Sequence, residues 1–272
     1  MVWAARCAAE RRNSMAKAAY GLQLFSIRDV SEVSLKEALR QTAEMGYSFV
    51  EFAGFFNNPA EDVASWLKEY GLTCSGTHTG MGEIKPETIE ATIAYHKTIG
   101  CKNLIVPGAR WDTPEDMEKY IGRLNEAQKK LAAAGITLGY HNHSKEFFPT
   151  PYGKVVEDEI IRRTSVLLEF DIFWVYNAGL DPVALLEKYQ DRVRVLHLKD
   201  GRIVSPENRN YQNAHNGAVG TALGEGQAPV KAVRDWALQN GVQIVVESEG
   251  LDPTGPAEVG RCIRYLQALD NA

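Results

Sequence analysis

The chain has 272 residues, 44% hydrophobic and 24% charged, with a formal net charge of −5. That is the composition of a globular protein able to bury a substantial core, and with no Lys/Arg stripe it argues against nucleic acid or an anionic membrane surface as partner. No apolar run reaches the roughly 18 residues needed to span a membrane. The four cysteines, Cys7, Cys74, Cys101 and Cys262, are far apart with no CxxC, which reads as free thiols in a reducing, cytoplasmic compartment.

The first stretch, MVWAARCAAERRNSMAKA, is apolar but interrupted by Arg6, Arg11 and Arg12, so it makes a poor signal peptide. Residues 1–18 are expected to be a disordered leader, with Met15 as an alternative start, and the fold is expected over 19–272. From Tyr20 on, short apolar runs alternate with amphipathic stretches. GLQLFSI precedes SLKEALRQTAEMG, where Ser34 and Glu37 predict a capping box and Gly46 a C-terminal stop. SFVEFA precedes NPAEDVASWLKEYG, with Pro59 suited to a first helical turn. LTCSGTH precedes KPETIEATIAYHKTIG, and NLIVPG precedes TPEDMEKYIGRLNEAQKKLAAAG. ITLGYHNH precedes a weaker helix around VVEDEIIRRT, and VLLEFDIFW precedes DPVALLEKYQ. VRVLHLKD precedes a long Gly/Asn-rich loop, Gly201 to about Gln227, and then APVKAVRDWALQNG. VQIVVESEG precedes PAEVGRCIRYLQAL.

Eight strand-then-helix units predict a parallel sheet, and eight in about 250 residues predict its closure into a single-domain (β/α)8 TIM barrel. An open doubly wound sheet is the alternative, but no GxGxxG follows the first strand. Active sites of such barrels lie at the C-terminal strand ends, which is also where the long loop before the seventh helix is expected. Polar residues gather at those ends. The fifth strand ends in His141 and His143, which share a face by the period-two alternation of a strand. The sixth ends in Asp171, with Glu169 two before it. The seventh carries His197 and Lys199, and the eighth Glu247 and Glu249.

A single strand-end histidine is more often a hydrogen-bonded structural residue, and a lone aspartate often a helix cap. Four successive strand ends carrying an acid or imidazole are harder to explain that way, because unpaired buried carboxylates are costly without a cation. His141, Asp171, His197 and Glu247 are therefore the expected ligands of one divalent metal ion, with Mn²⁺ first and Zn²⁺, Co²⁺ and Mg²⁺ behind it. Glu169 is read as an ion-pair partner deeper in the barrel, and Glu249 as facing solvent.

With GLQLFSIRD, GYSFVEFAG, GYHNHSKEF, LEFDIFW, VLHLKDG, LGEGQAP and VVESEG in this order, the chain resembles the xylose-isomerase-like TIM-barrel family of sugar isomerases and epimerases over about Tyr20 to Leu269. The family's metal site is usually Glu, Asp, His and Glu on strands five to eight. Asp171, His197 and Glu247 match it, while the strand-five position falls on His141. That departure bears on the chemistry, since the family's ketose 3-epimerases pass protons between both glutamates.

The resemblance implies metal-assisted enolisation of a small carbohydrate: a keto sugar or related polyol ketone, isomerised or epimerised through an enediolate. Dehydration or lyase chemistry of the inosose or 3-keto-glycoside type is the alternative. Glu247, His143 and Lys199 are the expected catalytic groups, with Lys199 facing a substrate oxyanion. His78, Trp174 and Glu51 are the expected substrate contacts, Trp174 by stacking on a sugar ring, with plain wall packing as its other reading; an inner-barrel ion pair, with Arg28 as one candidate partner, is the other reading of Glu51. Gln23 and Phe25 are expected to point inward. The substrate is expected to be unphosphorylated, and the resemblance allows a homo-oligomer. Endonuclease IV shares the barrel, but it needs a trinuclear zinc site and a basic surface, against six histidines and a charge of −5 here. A non-catalytic barrel would not need the acids of strands six and eight.

Overall fold

The structure, a computed structural model, describes residues 18–205, 207 and 209–272. Residues 1–17, nearly all of the expected leader, lie outside the described residues. All eight strand–helix units are present. The barrel strands are β1 (Tyr20–Gln23), β2 (Phe49–Phe52), β3 (Thr73–His78), β4 (Asn103–Val106), β5 (Thr137–His141), β6 (Leu167–Glu169), β7 (Val195–Leu198) and β10 (Gln243–Val246). The intervening helices are α1 (Leu35–Met45), α2 (Ala60–Glu69), α3 (Ile89–Thr98), α4 (Pro114–Ala133), α5 (Val156–Arg163), α6 (Ile172–Asn177), α7 (Pro182–Lys188), α8 (Val230–Asn240) and α9 (Gly255–Asp270). Strands such as β1, β2 and β7 are buried at every residue, as expected where helices cover one face of a parallel sheet and the barrel interior the other.

The caps follow local chemistry. Ser34 Oγ accepts the N–H of Glu37 at 3.2 Å, and Gly46 closes α1 in the left-handed region at φ 97°. Only half of the expected capping box forms, because the Glu37 carboxylate is drawn to Arg40 and Gln41. Pro59 sits at the cap of α2, one residue before its first turn.

The strands are ordered β6-β5-β4-β3-β2-β1-β10-β7, all parallel. The ring closes between β6 and β7 through two bridges, Leu168 to Val193 and Asp171 to His197, where His197 N donates to Phe170 O at 3.0 Å. The closing seam therefore sets two expected ligands side by side. Low in the barrel, Phe49, Val195 and Val245 form an apolar plug. Gly21 makes room for it: a Cβ there would lie 2.2 Å from the Phe49 ring.

The segment expected as one long loop is partly a hairpin. β8 (Asp200–Ile203) pairs antiparallel with β9 (Ala218–Thr221). The LGEGQAP stretch then folds around the buried Asp200 carboxylate, which accepts the N–H groups of Gly201, Gly224, Gly226 and Ala228 at 2.8, 2.9, 3.0 and 3.0 Å. A Cβ on Gly226 would come within 2.1 Å of Asp200 Oδ1, so the chain can approach this closely only at a glycine. Glu258 does the same for the loop after β10, accepting from Ser248 Oγ and from the N–H groups of Gly250 and Asp252.

Two predictions follow from these buried acids. Asp200→Ala leaves backbone donors without their ionised acceptor and is expected to lower stability by about 3 kcal/mol, read from urea unfolding. Glu157 is buried with Oε2 lacking a hydrogen-bond partner. Burial, and then Glu146, push its carboxyl up to about 8 from an ordinary 4.5. A group with a raised folded-state pKa contributes stability that is full below the unfolded value and is lost as pH rises through the folded one. Glu157→Gln is therefore expected to melt with wild type at pH 4.5 and above it at pH 8, and parallel melting curves at both pH values would refute this.

Candidate metal centre

At the C-terminal end of the barrel a cavity of about 290 Å³ is lined by Phe25, His78, His141, His143, Glu247 and Glu249, among others. His141, Asp171, His197 and Glu247 each turn one ligand-capable atom to a common point, all within 4.8 Å of one another. Each of the four is at most 4% exposed. In a second set, His78, His141, Glu169 and His197, one ligand-capable atom from each likewise lies within 4.8 Å of the others, and the set shares both imidazoles.

Asp171 has two duties. Its Oδ1 caps α6 by accepting the N–H of Trp174 at 2.9 Å, and its own N–H is held by Asn142 Oδ1 at 3.2 Å. Its Oδ2 is buried without a hydrogen-bond partner, 3.6 Å from Lys199 Nζ. Lys199 is wholly buried and lies 3.3 Å from Glu247 and 2.8 Å from Glu249, with its ammonium 4.5 Å from the centre of the Trp174 ring. Around this point five carboxylates (Glu51, Glu169, Asp171, Glu247 and Glu249) face one permanent cation. The donor set and the orphaned Asp171 oxygen fit a divalent ion.

The protonation states tell the same story. Burial, reinforced by the neighbouring His197 and His78, holds His141 well below the usual imidazole range, so it is neutral, the form a ligand needs. Burial raises Asp171 to about 8 against the pull of Lys199. Burial also works against ionised Glu247, but Lys199 and His197 overcome it and keep this acid well below the carboxylate range. His197 resists burial and keeps its proton because Glu169, Glu51 and Glu247 surround it. With no cation the site holds extra protons, and binding a metal there would release them.

Most expected residues converge. His143, in extended backbone just past β5, presents its ring 5.1 Å from that of His141 and lines the cavity. Burial, and then Lys199, lower its pKa to about 3. Glu146 takes the backbone N–H of His143 rather than its ring. His78 lines the cavity with its ring, while its Nε2 lies 3.0 Å from both Glu51 and Glu169.

Others are placed differently. Glu51 is 0% exposed and lies beneath the cavity, in the inner-barrel ion pair that is its other reading, but with His78 and His197 rather than Arg28 and with a hydrogen bond from Gln23. Arg28 packs over Phe25 and donates to Glu249 O instead. Trp174 lies on α6, because Asp171 ends the strand by capping a helix. The Trp174 ring is stacked on His215 at 4.5 Å and engaged by Lys199, which leaves it in the wall rather than open to a sugar. The Glu249 side chain stays 28% exposed and also pairs with Lys199 at 2.8 Å. Sequence reading missed Asn142, although its place between the two histidines marked it, and His215, which reaches the site from the hairpin with no local signal.

A model of the xylose isomerase-like TIM barrel family matches residues 39–269. An inosose dehydratase of Geobacillus kaustophilus is 26% identical over 227 residues, 70% of this chain and 71% of its own. A 2-oxo-tetronate isomerase of Haemophilus influenzae is 21% identical over 210 residues, 67% of this chain and 81% of its own. The crystal structure of a sugar phosphate isomerase/epimerase from Parabacteroides distasonis superposes with a TM-score of 0.76 at 22% identity, covering 94% of this chain and 97% of that one, a likeness of fold. Fold, site geometry and family match agree: the chain belongs to the xylose isomerase-like TIM barrel family.

Proposed function

We propose that this chain is a divalent-metal-dependent enzyme that enolises an unphosphorylated keto sugar or polyol ketone and returns the proton to give an isomer or epimer. The observation that carries this reading is the convergence of His141, Asp171, His197 and Glu247 on one point, with Glu247 and His143 lining the same cavity. The curated relatives act in the same chemical territory, by their names. When bound, a divalent ion, Mn²⁺ first, supplies Lewis acidity at a carbonyl oxygen.

The chain's own residues do the rest. Glu247, kept ionised by Lys199, and His143, kept neutral, are both unprotonated and able to accept the proton alpha to the carbonyl. Lys199, buried outside the cavity lining and paired with Asp171, Glu247 and Glu249, sets the charge of those acids rather than touching a substrate itself. Phe25 and His78 wall the cavity. Lys and Arg are absent from the described residues that line it, which disfavours a phosphate on the substrate.

A second reading is dehydration of an inosose-like ketone, in which the same proton abstraction is followed by loss of a β-hydroxyl. It is favoured by the names of the relatives and by a histidine in place of the strand-five glutamate.

Turnover of a panel of keto sugars and inososes in deuterated water separates the readings. A product isomer carrying solvent deuterium supports isomerisation or epimerisation. A dehydrated dicarbonyl or enone product supports the second reading, and turnover without label or elimination defeats enolisation. His141→Ala is expected to lower metal affinity by roughly 100-fold or more. His143→Ala is expected to keep the metal but slow kcat about 10² to 10⁴-fold. Equal metal loss in both variants, measured by elemental analysis, would show the two roles to be misassigned.

A further inference from the structure

The two imidazoles of the ligand set are each engaged on a second nitrogen from below. His197 Nε2 lies 2.7 Å from Glu51 Oε1, while its Nδ1 lies 3.3 Å from Glu247 Oε2 at the mouth. His141 Nδ1 lies 3.2 Å from Glu169 Oε2. An ionised carboxylate only accepts hydrogen bonds, so these contacts place N–H on Nε2 of His197 and on Nδ1 of His141. Nε2 of His141 is then left with the lone pair, whereas His197 Nδ1 faces ionised Glu247 and carries a second proton that a metal would have to displace.

Glu51 and Glu169 are themselves fixed. His78 Nε2 lies 3.0 Å from each and straps them together. Gln23 Nε2 donates to Glu51 Oε1 at 2.7 Å. On β3, Gly76 clears the space: a Cβ there would sit 2.7 Å from Glu51 Oε2. The two acids are 0% and 2% exposed. The layer below is filled by Phe49, Val195 and Val245, so an apolar filling was open to the barrel at this level too. Buried charged groups are weak contributors to stability, which points to another duty.

We propose that Glu51 and Glu169, joined by His78, are positioning residues that hold His197 and His141 in the tautomers and orientations a divalent cation requires. This rests on the metal reading of the mouth. The rival is a second ion among His78, His141, Glu169 and His197. It would compete for both imidazoles, and a neutral imidazole has one lone pair to give.

The test titrates metal-free protein with Zn²⁺ and with Mn²⁺ against a chromophoric chelator, and reads histidine tautomers by ¹⁵N NMR without metal. Wild type is expected to bind one ion and, without metal, to show His141 protonated at Nδ1 and His197 at both nitrogens. Glu51→Ala and Glu169→Ala are expected to bind 10- to 100-fold more weakly while Glu51→Gln, whose amide oxygen accepts the same N–H, stays within about fivefold. Glu169→Ala should also mix the His141 tautomers. Unchanged affinity in both alanine variants overturns this role alone, as does a second ion lost in Glu169→Ala. No ion bound by wild type overturns the metal reading and this role with it. If the alanine variants do not fold, the wild-type tautomers and the Glu51→Gln affinity decide: His141 protonated at Nε2, or a Gln variant as weak as a lost ligand, overturns the proposal.

Discussion

Excess buried negative charge at the barrel mouth is the constraint around which the upper half of this molecule is arranged. Carboxylates in a low-dielectric interior must find protons, cations or hydrogen-bond donors. Lys199 is given to Asp171, Glu247 and Glu249, and the imidazoles of His78 and His197 to Glu51 and Glu169. Even so, Asp171 and Glu169 sit with raised affinity for protons, and burial is the leading cause in both. The layer below, by contrast, is filled by the apolar side chains of Phe49, Val195 and Val245. The charge has been concentrated against the energetic grain, and a bound dication is the simplest species that relieves it.

Geometry makes that concentration possible. A closed parallel barrel points alternate residues of every strand inward, so the interior is a stack of layers with little room. Gly21 and Gly76 surrender their side chains where Phe49 and Glu51 need the space. Above them, the seam between β6 and β7 is held by isolated bridges rather than a continuous ladder, and Asp171 leaves the strand there to cap α6. One carboxylate thus terminates a strand, starts a helix and keeps one oxygen for the mouth. The loops around it hang on Asp200 and Glu258, two acids that satisfy backbone N–H groups and stay out of the chemistry.

Much of this was legible in the sequence for a physical reason. The change from apolar runs to capped amphipathic stretches is local, so eight units could be counted and the barrel inferred. The strand-end ligand set followed from period-two alternation at His141, His197 and Glu247. What escaped depends on relations between strands. The depth of Glu51 is set by its register against Gln23 and Gly76 on neighbouring strands, which no single segment encodes. Trp174, three residues beyond the strand end at Asp171, could be read as a sugar platform or as wall packing; the helix that Asp171 caps turns the ring into the wall. His215 and the Asp200-centred turn are brought in by the hairpin, where the composition suggested only a loop.

The histidine at the fifth strand has consequences for charge as well as for proton transfer. Asp171 and Glu247 supply two negative charges and His141 and His197 none, so the set just neutralises a dication. A glutamate in place of His141 would overshoot by one. The imidazole thus leaves the centre less electron-rich, and it removes a carboxylate from the pair that would pass a proton from face to face. The two groups proposed as bases, Glu247 just past β10 and His143 beyond β5, differ in kind: one is anionic and tied to Lys199, the other neutral and beside Trp174 and His215. Two unlike bases give a site with an inherent direction, suited to take a proton at one group and deliver it from another. That asymmetry is a property of this chain's own residues, and it limits how far the chemistry of two-glutamate epimerases carries over to it.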